Sequence, residues 1–531
     1  MIDFVIFVAH NNTMPRRSTD HLIKLVKRLT PSEKRQFKLY ATKKGAKNNL
    51  LFLALFDVLD KSKEYDEKKI LKKIPHIKKE QLPNLKSHLF KQLLTSLRLQ
   101  KRHTHPSIVI REQIDYALVL HSKGLYNAAL DTLEKAKKMA SESDRSISVL
   151  SAIEIEKHIE SLYITGSMYP KAKLLKEQTN RAIKQISINH ELSNLSLSLY
   201  GLYLQYGYVK DDKDFDFITD YFKEHLPEVD VATLDFYGKV HLYQSHVWYY
   251  NMVHDFINTY KYAQRWVDLF LINTEWQKRE LTLYIKGLHN VLNSLFMAQR
   301  YDKFAPMYEE LLKLGDEQLP SMNRDQASTF KLFEYMHGIN QFFLAGNFLG
   351  GTQYVRQIAE AIETNKWDWD LNRVMMFHYK IASLYFVYGD LDRTIYHLHK
   401  ITNEVYPNFR EDIQCFARVL NLIAHFDLGN QSLVTYQVKS TYRFLSKMAN
   451  LQPALKLILL FVRKIPTIKE EDLRDEFLML NEDLKEIRRK KFERRPFLYL
   501  DIISWLESKI EGVPVGDVVL RKLQRRNREF V

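Results

Sequence analysis

Residues 117–136 read Ala-Leu-Val-Leu-His-Ser-Lys-Gly-Leu-Tyr-Asn-Ala-Ala-Leu-Asp-Thr-Leu-Glu-Lys-Ala. An apolar helical segment runs into Gly124, and a second begins within two residues of it. Gly124 stands where the first helix must stop, because a residue without a side-chain carbon takes the left-handed conformation that ends a helix at little cost. So short a turn sends the second helix back along the first. Each helix of such a pair keeps an apolar stripe that its partner cannot cover, so pairs of this kind bury their apolar surface by stacking on further pairs.

The glycine returns along the chain. Gly124, Gly166 and Gly207 are 42 and 41 residues apart, and Gly346, Gly389 and Gly429 are separated by 43 and 40. The gap of 139 between Gly207 and Gly346 holds three intervals of similar size, with the two missing hinges expected near Val253-His254 and Gln299-Arg300. Eight helical hairpins follow. The expected fold is all-α, a right-handed solenoid of stacked antiparallel hairpins, and only 16 Gly and 14 Pro in 531 residues suit long helices better than a sheet rich in tight turns.

The first unit resembles a tetratricopeptide repeat in Ala117, Gly124, Tyr126, Ala129, Leu133 and Ala136. Small residues at these positions let two helices approach, and the larger ones fill the space between them. A later unit with Ala382, Gly389, Leu391, Leu398 and Ile401 keeps most of the pattern, with Thr394 in place of the second-helix alanine; Gly429 opens a weaker copy. The period departs from the resemblance, since tetratricopeptide units take about 34 residues and HEAT-like units about 40–47. Longer helices between the same turn elements account for the difference. The block Leu29-Thr-Pro-Ser-Glu-Lys-Arg-Gln-Phe-Lys38 and the later Gly124-Leu-Tyr126 and Leu428-Gly-Asn430 elements also resemble an uncharacterised bacterial repeat-protein family, over most of the chain from residue 18. That resemblance implies a repeat protein of unassigned function and carries no catalytic residue.

Charge divides the chain differently. The formal net charge is +15; residues 15–105 hold 24 Lys and Arg against 8 Asp and Glu, whereas residues 106–531 hold 55 of each. The basic stretch reads as helices. Leu22, Leu25, Val26 and Leu29 share one face with Lys24, Lys27 and Arg28 opposite, and Thr30-Pro31-Ser32-Glu33 announces a second helix through a capping box with proline at its first position. Further helices are expected at Asn49–Asp60, Asp66–Lys73 and Leu82–Leu99. Lys24, Lys27, Arg28, Lys34, Arg35 and Lys38 are the residues that would contact phosphate or an acidic partner.

The expected organisation is residues 1–17 as a disordered or mis-assigned start, with Met14 as an alternative first residue; 18–105 as the basic module; 106–450 as the repeat array; 451–513 as capping helices; and 514–531 as a loosely ordered basic tail. The capping pieces are Leu455–Lys464, Glu470–Lys491 and Phe497–Lys509. Met1–Ala9 is too short to span a bilayer and lacks a basic start, and the run Leu457–Val462 is far too short as well, so no membrane association is expected. The single cysteine, Cys415, excludes an intrachain disulfide and reads as core filler in a reducing, cytoplasmic setting.

Nothing in the sequence announces chemistry. There is no phosphate-binding glycine loop, no zinc helix of the His-Glu-x-x-His type, no nucleophile elbow and no dinucleotide fingerprint, so neither catalysis nor a cofactor or metal is expected. His241 and His246 fall about 140° apart on a helix and do not form a chelating pair, and His254, His397 and His399 read as packing or surface residues. The stretch 236–270 is rich in aromatics, of which Trp248, Tyr250, Tyr262 and Trp266 are the ones that would line a concave groove. The leading expectation is a protein or scaffold that holds a peptide or protein in that groove; the alternative is a nucleic-acid-associated regulator acting through residues 15–105.

Overall fold

The computed structural model describes residues 17–43, 47–62, 65–101, 105–162, 168–403, 411–445, 453–464, 468–469, 471–490, 492 and 501–529. Among them the chain forms 25 α-helices and no strand. It divides into two compact units, Met1–Ser187 and Ile188–Val531. The change of charge at residue 105 and the division of packing at residue 187 are therefore different boundaries.

The first unit opens with α1 (Arg17–Arg28), α2 (Pro31–Lys43), α3 (Lys47–Lys61), α4 (Glu67–Lys73) and α5 (Leu82–Lys101). The capping box forms as the sequence spells it: Thr30 N donates to Glu33 Oε2 at 2.8 Å and Glu33 N donates to Thr30 Oγ1 at 3.2 Å. Leu22, Val26 and Leu29 bury against Phe37, Phe52 and Phe56, with the Phe37 and Phe56 rings 4.9 Å apart. A second core gathers α6 (Pro106–Ser122), α7 (Tyr126–Ser141) and α8 (Ser146–Leu162), where Ala117, Ala129, Leu133 and Ala136 are buried. Beside it lies a buried ion cluster. Glu156 accepts Lys137 at 2.7 Å and Lys171 at 2.5 Å, and Glu156 and Lys137 are almost wholly enclosed.

The reversal after α6 is a hydrogen-bonded motif. Leu125 N donates to Leu120 O and Gly124 N to His121 O, with Gly124 at φ +75°, the double-bonded Schellman end of a helix. In the second unit the same two bonds close α11 (Phe236–Met252), α14 (Leu281–Met297), α16 (Arg324–Ala345), α18 (Leu371–Tyr388) and α20 (Glu411–Asp427). Their left-handed residues are His254, Gln299, Gly346, Gly389 and Gly429, at φ +63°, +58°, +68°, +97° and +76°. At the two places without a glycine, His254 and Gln299 take the conformation themselves. Gly207 (φ +74°) ends its helix with a single bond to Tyr203 O, and Gly166 lies outside the described residues.

Each hinge leads into a second helix: α10 (Asp212–His225), α12 (Phe256–Ile272), α15 (Tyr301–Gln318), α17 (Phe348–Glu363), α19 (Leu391–Thr402) and α21 (Gln431–Leu445), with the short α13 (Glu275–Arg279) between α12 and α14. Neighbours in sequence pack on each other. First helices of successive hairpins also touch, α14 with α16, α16 with α18 and α18 with α20. The sequence expectation of discrete hairpins fails at one point: the second helix of one pair and the first of the next form one helix, α9, Met168–Tyr206. Residues 183–192 contain no glycine or proline, whereas Pro227 follows α10 and Pro320 follows α15, so nothing stops the helix there.

The C-terminal region departs further from expectation. α22 (Pro453–Lys464), α23 (Leu473–Arg489) and α24 (Ile502–Glu511) correspond to the three expected pieces, with Phe497 outside the described residues. α24 is largely buried: Ile502, Ile503, Trp505 and Leu506 are enclosed, and Trp505 Nε1 donates to Asp427 Oδ2 at 3.1 Å. The stretch expected as a loose tail is helix α25, Val515–Glu529. Its composition is basic, but Val518, Val519 and Leu523 fall on one side, and that apolar stripe outweighs the charge by packing against the core.

Candidate ligand-binding cavity

The second unit holds a partly open cavity of about 1180 Å³. Its walls come from the first helices of successive hairpins: the C-terminal half of α9, then α11, α14, α16, α18 and α20. α24 and α25 complete it. The hinge motif decides which residues face inward, because it fixes each helix end relative to the next. Gln244, His289, His337 and Lys380 each stand nine or ten residues before their hinge. Three of them line the cavity, and His337 bonds to His289 behind it.

α25 forms part of the wall and is held by both faces. Val515, Val519 and Leu523 line the cavity, and Leu520 packs so closely on Gly346 that a Cβ there would lie 2.6 Å from its Cδ1. Gly516 sits under the end of α18, where a Cβ would come within 2.8 Å of Val387 O. On the polar side, Lys522 donates to Ser504 Oγ and pairs with Glu507, both at 2.8 Å, and Arg526 Nη1 donates to Gln299 Oε1 at 3.1 Å.

The lining is strongly basic. It includes Lys286, Arg373, Lys380, Arg488, Lys522 and Arg526, and among the described lining residues Asp501 is the single carboxylate. Asp501 is engaged in capping α24 through Ser504 N and Oγ. Arg373 pairs with Asp370 and Lys522 with Glu507, whereas Lys286, Lys380 and Arg488 have no ion-pair partner among the described residues. Burial lowers Lys380 from the usual lysine value to about 8.

Lys380 heads a hydrogen-bonded chain across three helices. Its Nζ donates to Asn340 Oδ1 at 2.7 Å; Asn340 Nδ2 and His337 Nδ1 are 3.4 Å apart; His337 Nε2 and His289 Nδ1 are 2.9 Å apart. An ammonium donates only, which fixes the directions. Asn340 Oδ1 accepts, Nδ2 donates to His337 Nδ1, His337 Nε2–H donates to His289 Nδ1, and His289 keeps its proton on Nε2. Both imidazoles are neutral. Burial, reinforced by Lys380 and Lys286, pushes His289 down to about 3, and burial with the neighbouring His289 and Lys380 holds His337 well below the ordinary range. The His289 ring lies flat on Phe333, with centroids 3.9 Å apart.

The residues singled out from sequence are distributed unevenly around this cavity. Trp248 lines it and packs on the rings of Tyr200 and Tyr203; Trp266 borders it but belongs to the core. Tyr250 and Tyr262 stack on one another, with His246 4.0 Å from Tyr262, away from the cavity lining. Among the cations of the first unit, Lys34 pairs with Asp60 and Lys38 with Asp57, both at 2.6 Å, and Lys27 donates to Asp60 O at 2.7 Å. Lys24, Arg28 and Arg35 are exposed. The hinge residues Gly124, Gly207, Gly346, Gly389 and Gly429 take the left-handed conformation at helix ends, and Tyr126 and Ala129 lie in α7, the helix that follows the first of them.

His289, His337, Asn340 and Lys380 were not singled out from sequence. Their signal was available in the spacing to the hinges, once all hinges including the two without glycine are aligned. Among the described residues no group of three or more His, Cys, Asp and Glu side chains is placed to hold a metal ion, and no helix is long and apolar enough to cross a membrane. No family model, curated protein or solved structure matches the chain.

Proposed function

We propose that this is a non-catalytic binding protein of the cytoplasm, a tetratricopeptide-like solenoid whose inner face takes an amphipathic helix of a protein partner. The observation that carries the reading is the seat of α25. The inner helices accept Val515, Val519 and Leu523, which at i, i+4 and i+8 lie along one face of the helix, and an amphipathic helix laid apolar face down in a groove is a recurring mode of recognition. In this chain the helix is its own, so a partner's helix competes with α25 for the same surface.

The test uses the full chain carrying Val519→Glu and Leu523→Glu, which expels α25, and a fluorescein-labelled peptide of residues 513–529. The substituted chain takes up the peptide saturably, and the wild-type chain binds it roughly tenfold or more weakly because its own helix is in place. A substituted chain that keeps its helical circular dichroism yet takes up no peptide overturns the reading.

A further inference from the structure

The cavity beside α25 combines features that helix capture does not use. Lys380 is partly buried between α14, α16 and α18, its ammonium 5.2 Å from the Phe296 ring centroid, and among the described residues no carboxylate pairs with it. Its bond to Asn340 leaves two of its three N–H donors uncommitted. The relay behind it turns His289 Nε2–H into a further donor on the lining, one that is not lost to protonation at neutral pH. Lys286, one helical turn before His289 and accessible at the surface, adds a second ammonium close enough to act on the same imidazole. Arg488 lines the cavity as well.

A charge drawn partly out of water without a counter-charge is costly, and a counter-charge arriving from outside relieves that cost. The donors here are separate cations and an imidazole N–H, which suits a multiply charged oxyanion better than a flat carboxylate that a bidentate arginine would clasp. Phe296, Phe333, Met336 and Phe386 supply apolar surface in the same cavity for an uncharged body attached to the anion. We infer that the cavity binds a small organic phosphate, its phosphate group held by Lys286, Lys380 and the Nε2–H of His289 and its body against the aromatic wall. This inference does not depend on the capture of a partner helix, since it concerns the intact chain with α25 in place.

Isothermal titration of the wild-type chain with phenyl phosphate, AMP and inorganic pyrophosphate, against adenosine and phenol as uncharged controls, tests it. At least one phosphate probe binds saturably with one site per chain and weakens as salt is added, while its uncharged counterpart binds roughly tenfold or more weakly. Lys380→Met and Lys286→Gln each weaken the phosphate probe by about tenfold or more, and Lys135→Gln, at an exposed position of α7 in the first unit, leaves it unchanged. The inference is overturned if none of the three phosphates binds, if the controls bind as well as the phosphates, or if Lys380→Met and Lys286→Gln bind as wild type does. The α25 peptide assay is read separately, so either reading can fail alone.

Discussion

Replacing Lys380 by methionine should make the second unit more stable at neutral pH and less stable in strong alkali. The lysine carries a folded-state pKa of about 8 against an ordinary value of 10.5, displaced by burial. At 1.36 kcal/mol per unit this is about 3 kcal/mol of penalty for folding with the ammonium protonated. The sign follows from proton counting. Between about pH 8 and 10.5 the unfolded chain holds the proton more tightly than the folded one, so wild-type stability rises with pH across that window and is level below it. Methionine removes the penalty but forfeits the bond to Asn340, worth about 1 kcal/mol. The variant is therefore about 2 kcal/mol more stable at pH 7, equal to wild type near about pH 9.5, and about 1 kcal/mol less stable above pH 11. All six tryptophans lie between residues 248 and 505, so urea unfolding followed by tryptophan fluorescence reports this unit. Because other groups titrate in both proteins, the quantity to plot is the difference between variant and wild type. A difference that stays constant from pH 7 to 10.5 refutes the assignment of an uncompensated buried ammonium.

Gly389→Ala places a Cβ that meets nothing within 4 Å, so its whole cost is the left-handed backbone, about 1–2 kcal/mol by the same fluorescence assay. Gly201→Ala, inside α9 and equally unobstructed, has the opposite sign and stabilises by about 1 kcal/mol; two changes of the same sign would contradict the hinge reading. Glu156→Gln removes the buried one of the two carboxylates that pair with Lys137, leaving Glu134 at 2.6 Å, and lowers the stability of the first unit by about 1.5–3 kcal/mol, while Glu156→Met with Lys137→Met recovers most of it, as measured by hydrogen exchange in α7 and α8. Gly516→Ala drives a Cβ toward Val387 O, so amides of residues 515–529 exchange faster while those of α14 hardly change; unaltered exchange in α25 would show that the helix is not held by this contact.

The helices and their reversals were readable because they are local events. A capping box at Thr30–Glu33 and a left-handed residue every forty-odd positions need only neighbours in sequence to act. The even spacing placed hinges near Val253-His254 and Gln299-Arg300, and the left-handed residues there are His254 and Gln299, although neither is a glycine. Local rules also misled where a local signal was missing or outweighed. α9 continues through residues 183–192 for want of a breaker, and α25 is ordered although its charge suggested a tail.

Composition and spacing thus determined an all-helical chain, the positions of its turns and the basic character of its N-terminal stretch. Tertiary structure alone decided which side chains meet. Lys380, Asn340, His337 and His289 come from three helices and become a relay only when α14, α16 and α18 pack with their hinges in register. The seat of α25 brings Arg526 to Gln299 across 227 residues. A sequence periodicity says that a face is buried; the identity of the face opposite it is set by closing long loops, for which no local residue pattern exists.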